Sequence, residues 1–256
     1  MRLLFGRKQA EQQNVPEHLA VIMDGNGRWA KSKFLPRFEG HRAGAKSVRM
    51  LLEESLKIGI KYVTVYAFSS ENWQRPQDEV SSLMKLFAYY LENELELFHK
   101  HKVRLRAIGD RSKLSPALQS LLLKAEEQTK DYSAMQFILA VSYGSRDEIV
   151  NAAKTIASDC LSGKLNVDEI SNESIQNNLY APDLPDVDLL IRTSNEYRIS
   201  NFLLWQAAYA EIIVSPVFWP DFDVVEFNRC IQEYGSRVRK FGLTQDQIEQ
   251  KNSAMV

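Results

Sequence analysis

The residues best suited to chemistry in this chain stand in the string Leu19-Ala20-Val21-Ile22-Met23-Asp24-Gly25-Asn26-Gly27-Arg28-Trp29. An apolar, β-type run ends at Asp24. Glycines follow at 25 and 27, then Arg28 and Trp29 in a segment able to start a helix. Glycines at such a corner let backbone N–H groups approach an anion closely. Arg28 adds a permanent, forked positive charge for the same anion. Asp24, at the carboxyl end of a strand, suits a divalent cation that neutralises phosphate oxygens. Diphosphate with Mg2+ fits that chemistry. A glycine turn with Asp24 as helix N-cap fits the same residues, so the spacing leaves both readings open.

Further along, Arg37 and His41 stand in Pro36-Arg37-Phe38-Glu39-Gly40-His41. A lone histidine is commonly structural, and taken in isolation that reading is favoured for His41. The string Ala67-Phe68-Ser69-Ser70-Glu71-Asn72-Trp73, followed by Gln74-Arg75-Pro76, ends another apolar run in two hydroxyls, a carboxylate, an amide and an indole. A plain turn needs one or two of these, although a capped loop opening a helix at Asp78 would also hold them. A third group runs from Arg192 through Thr193, Ser194, Asn195, Glu196 and Tyr197 to Arg198, Ile199 and Ser200. Two arginines and a hydroxyl there suit a second diphosphate. Glu211, at the edge of the apolar run Glu211–Ser215, is costly to bury unpaired and favours a partner such as a metal ion.

These strings, in this order and at these distances, resemble those of the cis-prenyltransferases from about Pro16 to Gly242. The resemblance implies extension of farnesyl diphosphate by successive cis-condensations with isopentenyl diphosphate, to an undecaprenyl product that carries peptidoglycan precursors. It implies that Gly25, Asn26, Gly27, Arg28, Trp29, Arg37, His41 and Arg75 surround the allylic diphosphate. Ser69, Ser70, Glu71, Asn72 and Trp73 become a second substrate loop, and Arg192, Arg198, Ile199 and Ser200 become the isopentenyl diphosphate site. Asp24 and Glu211 are then Mg2+ ligands. Asn72 takes the position assigned to proton removal, with His41 or a diphosphate oxygen as the alternative acceptor. A homodimer and transient contact with a membrane surface for product release are also implied.

Three strings depart from the family pattern. Ser142-Tyr143-Gly144-Ser145-Arg146 stands for Asn-Tyr-Gly-Gly-Arg, and Asn195 stands for a glycine, where asparagine tolerates left-handed angles. Lys240-Phe241-Gly242 stands for Arg-Phe-Gly and replaces a forked donor by a point charge.

Short apolar runs must position these groups: Leu19–Met23, Tyr62–Phe68, Val103–Ile108, Gln136–Ser142, Asp188–Arg192 and Glu211–Ser215. Helical patterns lie between them near 41–58, 78–100, 114–129, 145–162, 171–179 and 222–240. That alternation predicts a single α/β domain, with a central, mostly parallel six-stranded sheet flanked by helices. Asp24, Ser69 and Thr193 then share the rim at the carboxyl ends of the strands, where ligands bind in such folds. Residues 1–15 are expected to be a mobile lead, 16–242 the catalytic domain and 243–256 a tail. In the 78–100 pattern, Val80, Leu83, Met84, Phe87, Leu91, Leu95 and Phe98 recur at helical steps, over about 34 Å at 1.5 Å per residue. The stripe suits packed core, and the resemblance makes it one wall of an apolar tunnel with Met135 at its floor.

Composition bounds the rest. The chain has 256 residues, 45% hydrophobic and 25% charged, with net charge −1, which argues against nucleic acid as the main partner. Two cysteines, Cys160 and Cys230, form no metal or disulfide pattern. No apolar run reaches membrane-span length and the N-terminus lacks a signal-peptide pattern, so a cytoplasmic location is expected. The string Gly40–Ser47 falls one residue short of a phosphate-binding P-loop, with Ala45 where the second glycine belongs. A non-catalytic polyprenyl-binding or partner subunit on the same fold is the alternative. Such a protein could lose Asp24, Arg28, Arg37 and Arg75, all of which are present.

Overall fold

Every residue of strand β1 (His18–Ile22) is buried, and its pleat divides the interior in two. Leu19 and Val21 enter one apolar cluster, while Ala20 and Ile22 enter another on the opposite face. The same alternation runs through β4 (Met135–Tyr143): Met135, Phe137, Leu139 and Val141 join the first cluster, Ile138 and Ala140 the second. A strand covered on both faces is apolar almost throughout, which is why these runs stand out. The computed structural model describes residues 14–237. Most of the expected lead, the 243–256 tail and Lys240-Phe241-Gly242 lie outside the described residues.

The other strands are β2 (Tyr62–Ser69), β3 (Val103–Ile108), β5 (Leu189–Arg192) and β6 (Glu211–Val214). They form one six-stranded sheet in the order β3-β4-β2-β1-β5-β6, with every pairing parallel. The expected sheet is therefore present, wholly rather than mostly parallel. The chain builds one side of β1 first and then crosses to the other. At such a reversal the loops after neighbouring strands diverge and leave a crevice. The loops after β2, β1 and β5 meet there.

Helices α1 (Asn26–Ser32) and α2 (Arg37–Ile58) follow β1, and α3 (Gln77–Asn93) and α4 (Leu95–His101) follow β2. The remaining helices are α5 (Pro116–Thr129), α6 (Ser145–Leu161), α7 (Asn172–Gln176) and α8 (Val224–Gly235). The single helix expected over 78–100 is broken at Glu94. The amides of Leu97 and Phe98 both turn to the Glu94 carbonyl, and Asn93 Nδ2 bonds back to the Tyr89 carbonyl at 2.6 Å. Meanwhile the Glu94 carboxylate is held by Arg49 of α2, at 2.8 Å from Nη2 and 3.2 Å from Nε. A side chain that competes for backbone groups ends a helix locally, and an apolar stripe does not report it. Among the described residues no helix is long and apolar enough to cross a membrane.

Candidate active site

Gly25 opens the first corner with φ +101, a conformation that side chains resist, and a Cβ there would stand 2.8 Å from Phe218. Its N–H donates to Asp24 Oδ1 at 2.6 Å. The first intrahelical bond of α1 comes from Trp29 to the Gly25 carbonyl, so the amides of Asn26, Gly27 and Arg28 precede the ladder as helix-start donors. Gly27 lets Arg37 approach, since a Cβ would meet its Nε at 2.8 Å. Arg28 Nη2 lies 3.3 Å from Asp24 Oδ1, and its Nη1 donates to Glu196 Oε1 at 2.7 Å.

Asp24 also pairs with a residue 168 positions away. Arg192 Nη2 donates to Asp24 Oδ2 at 2.8 Å, while its Nη1 donates to Ser200 Oγ at 2.7 Å and to the Arg198 carbonyl. The Arg192 Nε is buried without a partner. Thr193 strengthens the join, because its hydroxyl accepts from the Asp24 amide and donates to the Asp24 carbonyl at 2.7 Å. Burial would raise the Asp24 carboxyl. The Arg192 hydrogen bond and charge, with the Gly25 N–H and Arg28, outweigh it and hold the group below the usual carboxylate range. Asp24 is ionised at neutral pH.

The second loop is a short 3-10 turn, Ser70–Gln74. Asn72 Oδ1 accepts from the Ser69 amide at 3.1 Å, so capping engages its carbonyl and leaves its NH2 as the available function. Glu71 accepts from Asn201 Nδ2 at 2.9 Å, and Asn201 Oδ1 takes the Arg146 amide. His41, on α2, has a buried Nε2 with no hydrogen-bond partner. Burial, then the charges of Arg75 and Arg37, push its pKa down to about 4. It is a neutral imidazole at pH 7.

An apolar cleft of about 730 Å3 opens beneath these groups. Asp24, Asn26, His41, Ser69, Glu71, Asn72, Arg75, Arg192, Arg198 and Ser200 line its mouth. Its walls come from Leu83, Met84, Phe87 and Leu91 of the broken helix and from Phe137, Leu139 and Val141 of β4. Its deep end reaches Phe98 and Phe137, whose rings lie 5.8 Å apart. Met135, the expected floor, does not line it and sits buried one step further along the same strand face. A second, adjoining cavity is bounded by Gly25, Gly27, Arg28 and Arg37, and shares Asp24, His41 and Arg75 with the first.

Five expected site residues are not at these cavities. Trp29 donates its indole N–H to Asp221 at 2.7 Å and Trp73 donates to Ser142 Oγ at 2.9 Å, so both pin loops together. Ser70 packs beneath Gly144, and Ile199 packs into the second core cluster. Glu211 is in register with Leu189, at the amino ends of parallel strands, whereas Arg192 is at the carboxyl end beside Asp24. Its carboxylate accepts from Arg237 Nη1 at 2.8 Å. The two carboxylates expected to share a metal are thus at opposite ends of the sheet within one chain.

Three residues escaped the sequence reading. Glu79 sits between Arg37 (3.3 Å) and Arg75 (3.0 Å), and Glu196 sits between Arg28 (2.7 Å) and Arg198 (2.5 Å). Asn201 ties the second and third loops together. Glu196 lay inside a quoted string, but its two partners come from different loops and no local spacing reveals that.

A family model described as "Putative undecaprenyl diphosphate synthase" matches residues 22–242. The chain belongs to this family. Relatives include an isoprenyl transferase of Fusobacterium nucleatum, 50% identical over 231 residues that cover 90% of this chain and 97% of that protein. A ditrans,polycis-undecaprenyl-diphosphate synthase of Haemophilus influenzae, specified for (2E,6E)-farnesyl diphosphate, is 47% identical over 93% of this chain and 99% of its own length. Among solved structures, lavandulyl diphosphate synthase from Lavandula x intermedia in complex with dimethylallyl diphosphate superposes with a TM-score of 0.87. It shares 36% identity and covers 89% of this chain and 98% of its own. "A probable undecaprenyl diphosphate synthase" from Campylobacter jejuni superposes with a TM-score of 0.74 at 41% identity, over 90% and 99% of the two chains. Of the departures from the family pattern, Asn195 adopts φ +56, the left-handed turn that asparagine tolerates. Ser142 adopts φ +52 and accepts the Trp73 indole N–H.

Proposed function

We propose that this chain condenses isopentenyl diphosphate repeatedly onto farnesyl diphosphate in cis, giving undecaprenyl diphosphate as the precursor of a peptidoglycan lipid carrier. One observation carries the reading: Arg192 joins Asp24 to Ser200, so the cavity lined by Arg28, Arg37 and Arg75 adjoins the mouth of the apolar cleft that Arg192 and Arg198 line. Two diphosphates could stand side by side there while a polyprenyl tail lies along the cleft, which extends as a tunnel for the longer chains. Apolar walls favour the tail by about 0.8 kcal/mol per buried CH2.

In each cycle the allylic C–O bond breaks and diphosphate leaves. The double bond of isopentenyl diphosphate attacks the freed carbon, and one proton departs to set the new cis double bond. Arg28, Arg37, Arg75 and the helix-start amides hold the leaving diphosphate, where positioned donors stabilise developing charge. Arg198, Ser200 and Arg192 hold isopentenyl diphosphate with its double bond facing the allylic carbon. Asn72, whose carbonyl is engaged by Ser69, orients a substrate through its NH2. His41, a neutral imidazole, donates a ring N–H to an anion, and a diphosphate oxygen accepts the proton.

Mg2+ belongs to this reading. Among the described residues no three His, Cys, Asp or Glu side chains form a metal cluster. A single ionised Asp24 beside helix-start amides and arginines fits an ion that takes one carboxylate, phosphate oxygens and waters rather than a protein cage. When bound it lowers the cost of diphosphate departure. A homodimer completes the proposal, with sedimentation equilibrium expected to give twice the 29.4 kDa chain mass.

Incubation with farnesyl diphosphate, labelled isopentenyl diphosphate and Mg2+, followed by chromatography of the lipids, tests the function. Label in long-chain polyprenyl diphosphates is expected, with none after chelation. Absence of label in any product longer than farnesyl diphosphate would overturn the reading.

A further inference from the structure

The connector between α1 and α2 carries two local costs that the fold does not compensate. Phe34 follows the C-cap of α1 with φ +57, the left-handed position that glycine usually fills, and its residue surface is 98% exposed. A bulky side chain in that conformation is strained, and one that touches almost nothing regains nothing by packing. Leu35 and Phe38 beside it are also exposed, so three large apolar side chains stand together in water. Strain of this kind persists where the side chain serves a purpose.

Charge identifies the purpose. From Lys31 to Lys46 the chain has five cations, at 31, 33, 37, 42 and 46, and one carboxylate, Glu39, which pairs with Arg42. Trp29 extends the apolar surface under Lys33, whose Nζ lies 5.3 Å from its ring centre. Facing residues from other elements are Glu79, already shared with Arg37 and Arg75, and Asp221, bound to Trp29. Apolar tips within a cationic ring match an anionic bilayer, where rings enter the headgroup boundary and lysines meet lipid phosphates. The overall charge of −1 makes this a local property of one loop.

We infer that the Phe34-Leu35 loop, with Phe38, Lys31 and Lys33, docks the protein on anionic membrane surfaces. The loop borders the first corner, where Lys31, Phe34 and Leu35 also help to line the second cavity. The inference stands on the loop itself and is tested without substrate.

The test is co-sedimentation of the full chain with vesicles of mixed phosphatidylcholine and phosphatidylglycerol, and with phosphatidylcholine alone. Binding to the anionic vesicles is expected, weakening at high salt. Lys33→Gln should cut it about fivefold, on the order of one surface cation. Phe34→Gly should raise the melting temperature by relieving the left-handed strain while it weakens vesicle binding, and Lys33→Gln, which lies outside both cavities, should leave turnover of soluble substrates unchanged. Opposite signs for stability and binding are what a purely structural phenylalanine would not produce. The inference falls if the protein ignores anionic vesicles, binds neutral ones equally, or binds them unchanged in both variants. It falls equally if Phe34→Gly lowers the melting temperature, or if Phe34→Gly halves the mass found by sedimentation equilibrium, which would make the loop a contact between two copies of this chain.

Discussion

Replacing Asp24 by alanine perturbs both the chemistry and the join between two loops. Arg192 Nη2 lies 2.8 Å from Asp24 Oδ2, with the arginine side chain 5% exposed and the aspartate 28%. After the substitution the guanidinium keeps Ser200 and the Arg198 carbonyl but loses its nearest carboxylate. Removing one partner of a buried pair costs about 3–5 kcal/mol, and the partial exposure of Asp24 puts this case nearer ~2–3 kcal/mol. At roughly 2–4 °C per kcal/mol for a chain of this size, the melting temperature should fall by about 5–10 °C. Arg192→Met should cost less, since the released carboxylate can reach water. The double variant should then recover about 1.5–3 kcal/mol of coupling, measured by urea unfolding followed by circular dichroism. Turnover of Asp24→Ala should drop by about 100-fold or more. A cycle that closes to within ~0.5 kcal/mol would refute the claim that this pair couples the loops. A folded Asp24→Ala with wild-type turnover would refute its role at the diphosphate.

Arg198→Ala should raise the KM for isopentenyl diphosphate more than that for farnesyl diphosphate, by about 10-fold for a charge-assisted contact, whereas Arg192→Ala should impair both substrates. Equal effects of Arg198→Ala on the two KM values would contradict separate sites. His41, with its pKa pushed down to about 4, should show no imidazole titration by NMR between pH 5.5 and 8 in the ligand-free protein. Because the unfolded chain binds that proton near pH 6.5 and the folded one does not, this contribution is full above pH 6.5. It is lost as pH falls to about 4, and amounts to roughly 3 kcal/mol. His41→Asn should flatten that part of the stability profile, and an unchanged profile would count against the assignment. Phe137→Ala should deepen the cleft and lengthen the products seen by mass spectrometry, with a larger effect than Met135→Ala. A larger effect at Met135 would place the floor behind Phe137.

The sequence by itself determined the strands, because buried parallel strands are apolar throughout and end abruptly in polar loops. It also marked Asp24, Arg28, Asn72 and Arg192, since each stands where an apolar run meets an unusual density of chemical groups, whereas His41 was singled out only by the resemblance to the family. Even Asn195 was readable, through the tolerance of asparagine for left-handed angles. The grouping of these residues was decided elsewhere. Strand order places β2 and β5 on either side of β1, and no local pattern encodes which strands become neighbours. From that order come the Asp24–Arg192 pair, the carboxylates of Glu79 and Glu196 between arginines, and the bridge through Asn201. The same parallel register carries Glu211 to the far end of the sheet, although its residue type and edge position suited a metal. Trp29 and Trp73 were visible as aromatic groups, but only their partners Asp221 and Ser142 show that they hold loops in place. The helix breaks at Glu94 although its apolar stripe runs on without interruption, and Arg49 of another helix holds the Glu94 carboxylate there. Periodicity reports which face of an element is buried; contacts between distant segments depend on how the elements pack.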